Sequence, residues 1–353
     1  MNKNKLSARS CKCEGCGDDM IFSPADGMLY CPSCASRKEI KTPNEYSKHP
    51  MKEFVDGVDD NKKWAEQQKS MDCPNCGAEV VLGNYQVAAR CPYCSSELVA
   101  RKKSLVGLTP DAVVPFKIGK DRALELFRTK INKNHFVPGK FKKQLKADSI
   151  EGYYFPAFVY DAQVRSDYEG RLYENYVVKR GDRSEVRRRY FYISGNKVTK
   201  HEGVEVEAST KLTQAELQSI RPYDFVQAKA FAKEYIAGFP LETYSVGVKD
   251  TNKQAREIIE SNIRWQILKG YHYDGVSFLN INNFYEEENY SYCVLPMYRI
   301  NYQYKNKKYS NVINGQSGRI GGSIPKSGFK IALTILAPIL FIAAIIIISC
   351  LVV

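Results

Sequence analysis

The sequence predicts an α+β protein: two N-terminal zinc ribbons of the rubredoxin type, a mixed helix and antiparallel-sheet domain, and one C-terminal transmembrane helix. Three observations carry that reading. Four Cys-x-x-Cys pairs precede residue 95, long alternating Tyr-rich stretches are interrupted by helical stripes, and an uncharged apolar run closes the chain. The boundaries that follow are ribbon 1 over 11–37, a linker over 38–70, ribbon 2 over 71–100, an α+β domain over 106–325 and a membrane helix over 331–353.

The ribbons are read from spacing. The first is Cys13-Glu-Gly-Cys16-Gly17 with Cys31-Pro-Ser-Cys34; the second is Cys73-Pro-Asn-Cys76-Gly77 with Cys91-Pro-Tyr-Cys94. Fourteen residues separate the inner cysteines of each, and the second set repeats the first at an offset of 60 residues. A Cys-x-x-Cys knuckle aims two sulfurs at one ion, and glycine after its second cysteine accepts the positive φ of the turn. The intervening stretch is long enough for a hairpin that sets the second knuckle opposite the first. Cys13, Cys16, Cys31 and Cys34 are thus expected to hold one Zn2+, and Cys73, Cys76, Cys91 and Cys94 another. Four thiolates close a tetrahedral shell and leave no position for water, so both sites are expected to be structural. Cys11 competes with Cys13, and the shared spacing favours Cys13. Cys293, in an aromatic strand, reads as a core residue; Cys350 lies in the apolar run. Met1-Asn2-Lys3-Asn4-Lys5 leads into no apolar signal segment, so the thiols are expected in a reducing cytosol, where paired cysteines are metal ligands.

Residues 331–353 are 23 in number and carry no charge. At ~1.5 Å per residue they reach about 34 Å, enough for a hydrocarbon core of roughly 30 Å. Pro338 is expected to kink that helix. Arg319, Lys326 and Lys330 precede it, which places the N-terminal domains on the cytoplasmic side of the cell membrane. The expected topology is single-pass and tail-anchored, with the lipid bilayer as one partner.

The domain between is read from periodicity. Val113-Val114-Pro115-Phe116 reads as an edge strand. Asp121 is expected to cap a helix whose apolar face is Ala123, Leu124, Phe127 and Ile131. Tyr153–Arg165, Tyr168–Lys179 and Glu185–Lys200 alternate as antiparallel strands, with a turn at Gly181-Asp182. Thr213-x-x-Glu216 and Thr251-x-x-Gln254 are capping-box signals. The second is expected to open a helix with Ala255, Ile258, Ile259, Ile263 and Ile267 on one face, stopping at Gly270. Another helical stripe covers Asp224–Ala237, and Gly275–Ile324 is strand-like. One short helix is expected near Trp64. Tyr154–Tyr160 resembles Val294–Ile300, and a helix precedes each, which suggests a duplicated helix-plus-sheet unit.

The formal net charge of +13 suits nucleic acid or an anionic membrane surface. Lys12, Arg37, Lys38 and Arg90 lie near the knuckles, where they offset zinc–thiolate charge. The interleaved aromatic platform of a single-strand binder is missing beside them. No catalytic constellation emerges: there is no P-loop and no His-Glu-x-x-His, and His49, His135, His201 and His272 share no metal spacing. Asp161, Asp167 and Glu169 follow one another along a strand, and Asn314-Gly315-Gln316-Ser317-Gly318 reads as a hairpin turn. The expectation is a non-enzyme with no small-molecule substrate.

Several stretches together resemble a known family: the paired knuckles, Val114-Pro115-Phe116, Tyr153 through Ala162, and Asn314 through Ile320 with Ile324-Pro325 beside the apolar run. They resemble the bacterial zinc-ribbon (TFIIB-type ribbon-like) membrane proteins that accompany a phage-shock-protein-A-like protein and a flotillin-like SPFH protein. The likeness covers most of the chain from Cys73 onward. That family is often labelled a primosomal helicase, a label that the missing P-loop argues against here. Ala157 and Val159 replace bulkier residues of its pattern. The resemblance implies a membrane-anchored adaptor that recruits the SPFH protein to the cytoplasmic face during envelope stress. It supplies no catalytic residues. A membrane-tethered nucleic-acid binder is the alternative.

Overall fold

The computed structural model describes residues 11–43, 45–54, 69–82, 91, 93, 94, 96, 108–144, 150–181 and 183–352. The helix expected near Trp64, together with Asp182 and Arg90, lies outside them. Ribbon 1 contains β1 (Ile21–Ser23), β2 (Met28–Tyr30) and β3 (Arg37–Lys38), a small antiparallel sheet of its own. Then come β4 (His49–Pro50), the ribbon 2 hairpin β5 (Lys69–Asp72) and β6 (Glu79–Leu82), and β7 (Ala112–Val113). The remainder is α1 (Lys120–Lys133), α2 (Gly139–Gln144), β8 (Ile150–Arg180), β9 (Arg183–Glu207), α3 (Gln214–Ile220), β10 (Lys229–Ala230) and β11 (Leu241–Glu242). After these follow α4 (Val248–Leu268), β12 (Gly275–Tyr304), β13 (Lys307–Asn314), β14 (Ile320–Gly322) and α5 (Gly328–Val352).

Three long antiparallel strands in the order β9-β8-β12 form the frame. β8 pairs with β12 from Ile150↔Ile300 to Tyr173↔Gly275, and with β9 from Ala157↔Glu207 to Arg180↔Arg183. The two segments that resemble each other are neighbours in this frame, with Tyr154 opposite Pro296 and Tyr160 opposite Tyr290. Along its free edge β12 takes on β4, β7 and β13 in turn. The strands expected over 153–165 and 168–179 are one strand, because Ser166 is buried and bonds Asn283 Oδ1 across to β12 at 2.7 Å.

The inner half of the frame is buried on both faces, as an apolar run without strict alternation requires. Tyr154, Phe158 and Tyr298 face one side, against Ala123, Phe127 and Ile131 of α1. Tyr153, Phe155 and Leu295 face the other, against Leu217 and Ile220 of α3. Over the outer half only one face is covered: Ile259, Ile263 and Ile267 of α4 pack on Ala162, Val164, Leu172 and Ile193.

Local signals held where the terminating chemistry is local. Thr213 closes a full capping box with Glu216. The four apolar residues expected to face inward from α1 are all buried, and residues 314–318 form the turn between β13 and β14, with Gly318 at φ +77. Several readings need correction. The strand at 112–113 is interior, between β10 and β12. Gly119, not Asp121, is the N-cap of α1. Thr251 lies inside α4, whose N-cap is Gly247; its buried hydroxyl bonds the Gly247 carbonyl at 2.9 Å. Ile258 on that helix is 38% exposed. The stripe at 224–237 is not an α-helix: 3-10 turns at Phe225–Gln227 and Lys233–Ile236 flank β10, which the ladder to β7 holds extended.

Among the described residues no helix is long and apolar enough to cross a membrane. Lys330, expected to flank a bilayer, instead donates to the His135 and Val137 carbonyls at 2.9 and 3.1 Å. This overturns the expected transmembrane helix over 331–353. The single-pass, tail-anchored topology in the cell membrane, with cytoplasmic N-terminal domains, falls with it.

Candidate metal centres

Both knuckle pairs are built by the same backbone device. In ribbon 1 the Gly17 amide donates to the Cys13 carbonyl at 2.9 Å and the Cys13 amide to Asp18 at 2.8 Å; in ribbon 2 Gly77 and Ala78 repeat these bonds around Cys73, each at 2.9 Å. Gly17 and Gly77 sit at φ +78 and +66, the left-handed region that made glycine necessary there. On the facing knuckles the Cys31 amide donates to Ser36 and the Cys91 amide to Ser96, at 2.9 and 2.8 Å.

These turns gather the eight expected ligands into two sets. The sulfurs of Cys13, Cys16, Cys31 and Cys34 lie within 4.8 Å of one another, as do those of Cys73, Cys76, Cys91 and Cys94. The closest approaches are 3.4 Å for Cys13–Cys34 and for Cys73–Cys94, and 3.5 Å for Cys16–Cys31 and for Cys76–Cys91. Those distances exclude disulfides, whose S–S bond is about 2.05 Å. They are close to the roughly 3.8 Å edge of a tetrahedron built on ~2.3 Å Zn–S bonds. The two sets are consistent with two zinc ions. Cys13, not Cys11, belongs to the first set.

The thiols are also electrostatically prepared. The Ser36 hydroxyl, 3.0 Å from Cys34 Sγ, and the Ser36 amide bring the Cys34 thiol down to about 6. Burial opposes ionisation of Cys94, yet Ser96 and its neighbours bring that thiol down to about 6 as well. Burial pushes the Cys91 and Cys76 thiols up. A divalent cation is what lets a mixed set of this kind ionise together, because binding displaces the protons.

The ribbons differ in attachment. In ribbon 1 the Phe22 amide bonds the Ala237 carbonyl at 2.8 Å, and its ring packs edge-on against Tyr235 at 5.6 Å. The cations around its knuckles are taken up locally: Lys12 by Asp19 at 2.8 Å, Lys38 by Glu14 at 2.6 Å and Arg37 by Asp26. Ribbon 2 is part of the main sheet, with β6 paired to β11 through Val80↔Glu242 and Val81↔Leu241. Tyr93, inside the last knuckle, donates its hydroxyl to Glu242 Oε2, and its ring lies 5.3 Å from that of Tyr153 and 5.1 Å from the Arg299 guanidinium. Asn301 Nδ2 donates to the Tyr93 carbonyl at 3.1 Å, and Lys211 Nζ to the Cys76 carbonyl at 2.8 Å.

Around that dock lies a buried polar cluster that the sequence did not reveal. Burial pushes the Glu242 carboxyl well above its usual range, and Ser209 donates to its other oxygen at 2.6 Å. Burial also raises Glu207 to about 9, and among the described residues its Oε1 has no hydrogen-bond partner, nor do Tyr153 Oη and Arg299 Nε and Nη2. Arg299 keeps Ser310 Oγ at 3.1 Å and Glu216 at 3.4 Å. The one cue in the sequence was the tyrosine of Cys91-Pro-Tyr-Cys94, where ribbon 1 has serine.

Fold and sites together define a mixed α+β protein that carries two closed four-cysteine centres, one of them continuous with its main sheet. The chain is similar to the uncharacterized protein YdjG of Bacillus subtilis (strain 168), at 26% identity over 326 residues that cover 92% of each chain. No family model matches it. No solved structure matches it.

Proposed function

We propose that this chain is a zinc-stabilised adaptor, a scaffold and not an enzyme, whose ribbons and sheet present a docking surface to a protein partner. The observation that carries this is the closure of both centres. A zinc ion with four thiolates has no position left for water or substrate, so it fixes shape and supplies no Lewis acid to a reaction. The pairing of Lys12, Arg37 and Lys38 with nearby carboxylates favours a protein over a phosphate backbone at ribbon 1, since phosphate contacts need free cations. The family resemblance nominates a flotillin-like SPFH protein as the partner, with a phage-shock-protein-A-like protein beside it.

The test is direct binding of the zinc-loaded full chain to an SPFH-type protein encoded near it, by titration calorimetry. Micromolar affinity is expected, about −8 kcal/mol. The paired change Cys73→Ser and Cys76→Ser is expected to weaken it about tenfold, because the knuckle that seats Tyr93 loses its metal. An absence of binding by the wild-type chain at roughly 100 μM sinks the adaptor reading.

A further inference from the structure

The outer halves of β8, β9 and β12 carry α4 on one face. The opposite face, made of odd-numbered β8 residues and their cross-strand partners, has no helix over it among the described residues. Its composition is unusual for a solvated surface. Tyr192, Arg171 and Phe278 lie abreast on the three strands, and Val198, Arg165 and Phe284 form a second such row. Tyr192 is 74% exposed, and Phe278 and Phe284 are 40% and 46% exposed. Between the two rows Asn196, Asn280 and Asn282 point outward. The two acids there already have partners: Asp167 takes Arg165 at 3.3 Å, and Glu169 accepts from Asn280 Nδ2 at 3.4 Å. Several scattered apolar residues would need no explanation, but here exposed rings alternate with arginines within a row and with amides between rows on one uncovered face, the mixed apolar and polar character of an interaction surface.

The cations on this face are held against the rings. The Arg171 guanidinium lies 4.1 Å from the Tyr190 centroid, Arg165 4.6 Å from Phe284, and Arg188 4.5 Å from Tyr173. Among the described residues Arg171 and Arg188 have no carboxylate partner and the buried Nε of Arg171 has no hydrogen-bond acceptor. The β8–β9 hairpin continues the charge to its tip: residues 165–200 hold ten basic against five acidic side chains.

We infer that this open sheet face binds single-stranded nucleic acid, with bases stacked on Tyr192, Phe278 and Phe284 and phosphates on Arg171, Arg188 and the hairpin tip. Flat exposed rings bind any base through its π-face, arginines supply the electrostatic and cation–π component, and amide side chains between the rings offer donors and acceptors to base edges. A duplex hides the π-faces that these rings require. An acidic polypeptide would satisfy the cations but makes no comparable use of a flat row of rings. This site is separate from both ribbons, so it stands or falls apart from the adaptor reading.

The experiment is fluorescence anisotropy of the zinc-loaded full chain with a labelled single-stranded oligothymidylate, and with a mixed-sequence duplex of equal length. The single strand is expected to bind more tightly, with log K falling by about 0.7 per phosphate contact for each tenfold rise in salt. Tyr192→Ala combined with Phe278→Ala is expected to weaken binding about tenfold or more. Tyr192 is largely solvated and Phe278 partly so, and an unchanged thermal melt confirms that the variant folds. Arg37→Ala in ribbon 1 should bind as wild type. Equal affinity of the double variant, equal affinity for the duplex, or no binding at low salt overturns the inference. Displacement of the oligonucleotide by polyglutamate at matched charge overturns it too, in favour of an acidic protein.

Discussion

Replacing Tyr93 with phenylalanine isolates one of the contacts that hold ribbon 2 on the sheet. The ring remains, and with it the packing on Tyr153 and the Arg299 guanidinium. Only the hydroxyl is lost, together with the bond that it donates to Glu242 Oε2. Glu242 is 3% exposed, and Ser209 serves its other oxygen, so Oε2 becomes a buried acceptor without a partner. That condition costs about 1–3 kcal/mol. For a folded unit of roughly 150–250 residues each kcal/mol moves the melting temperature by about 2–4 °C, so the expected fall is roughly 2–12 °C. The assay is thermal unfolding of the zinc-loaded chain by circular dichroism, run beside zinc release to a chromogenic chelator. The centre in ribbon 2 should release its ion faster than in wild type, while the centre in ribbon 1, seated on Tyr235 and Ala237, should not change. A variant that melts within about 1 °C of wild type and releases zinc at the same rate refutes the claim that Tyr93 ties metal to sheet.

Two further outcomes follow from the sites. Elemental analysis of metal-replete protein should find two zinc ions per chain, as the two four-cysteine sets require, and Cys16→Ser and Cys76→Ser should each lose one; iron in their place, or retention of both ions, contradicts the assignment. Glu207→Gln tests the buried cluster through pH. Burial raises the folded pKa to about 9, aided by Glu205 and Glu216 and opposed by Arg221 and Arg299, so the folded chain keeps a proton that the unfolded chain releases above its ordinary 4.5. Between those values wild-type stability falls as pH rises, by at most about 1.4 kcal/mol per unit. The glutamine has no proton to lose, so urea midpoints should shift in its favour from pH 5 to pH 9; a pH-independent difference defeats the reasoning.

What was legible in the sequence was chemistry whose partners are close in the chain. Each pair of ligands is three residues apart, and only fourteen residues separate the two pairs of a set, so spacing alone located both centres. Thr213 and Glu216 close a capping box within one turn, and the pattern sufficed. The same pattern at Thr251 misled, because it does not reveal that a turn of helix from Gly247 already precedes it. The stripe at 224–237 had helical period, but only part of it is buried, with Tyr235 and Ile236 inward and Val226 exposed, and between its 3-10 turns lies a two-residue strand set by pairing with the distant β7. The dock of ribbon 2 was out of reach for the same reason: Tyr93 and Glu242 are 149 residues apart. The aromatic platform sought beside the knuckles lies instead on strands whose facing became visible only with the register of β8 against β9 and β12.

The two zinc centres are therefore not equivalent in what their loss would do. Ribbon 1 has its own three-stranded sheet and touches the domain through Phe22, so its metal stabilises a unit that is largely self-contained. In ribbon 2 the hairpin that carries the first knuckle donates β6 to β11, and among the described residues β11 is otherwise paired to β8 at Leu241↔Tyr154. Without the ion, the knuckle no longer fixes Tyr93, and Glu242 is expected to lose the Tyr93 donor while keeping Ser209. Zinc binding there is coupled to docking as well as to ribbon folding. The Cys76 and Cys94 side chains are accordingly half-buried, where Cys16 and Cys34 are exposed. The metal in ribbon 2 thus acts as a remote part of the sheet's own core, and its removal should be felt at Glu242 and Arg299 before it is felt in α1 or α4.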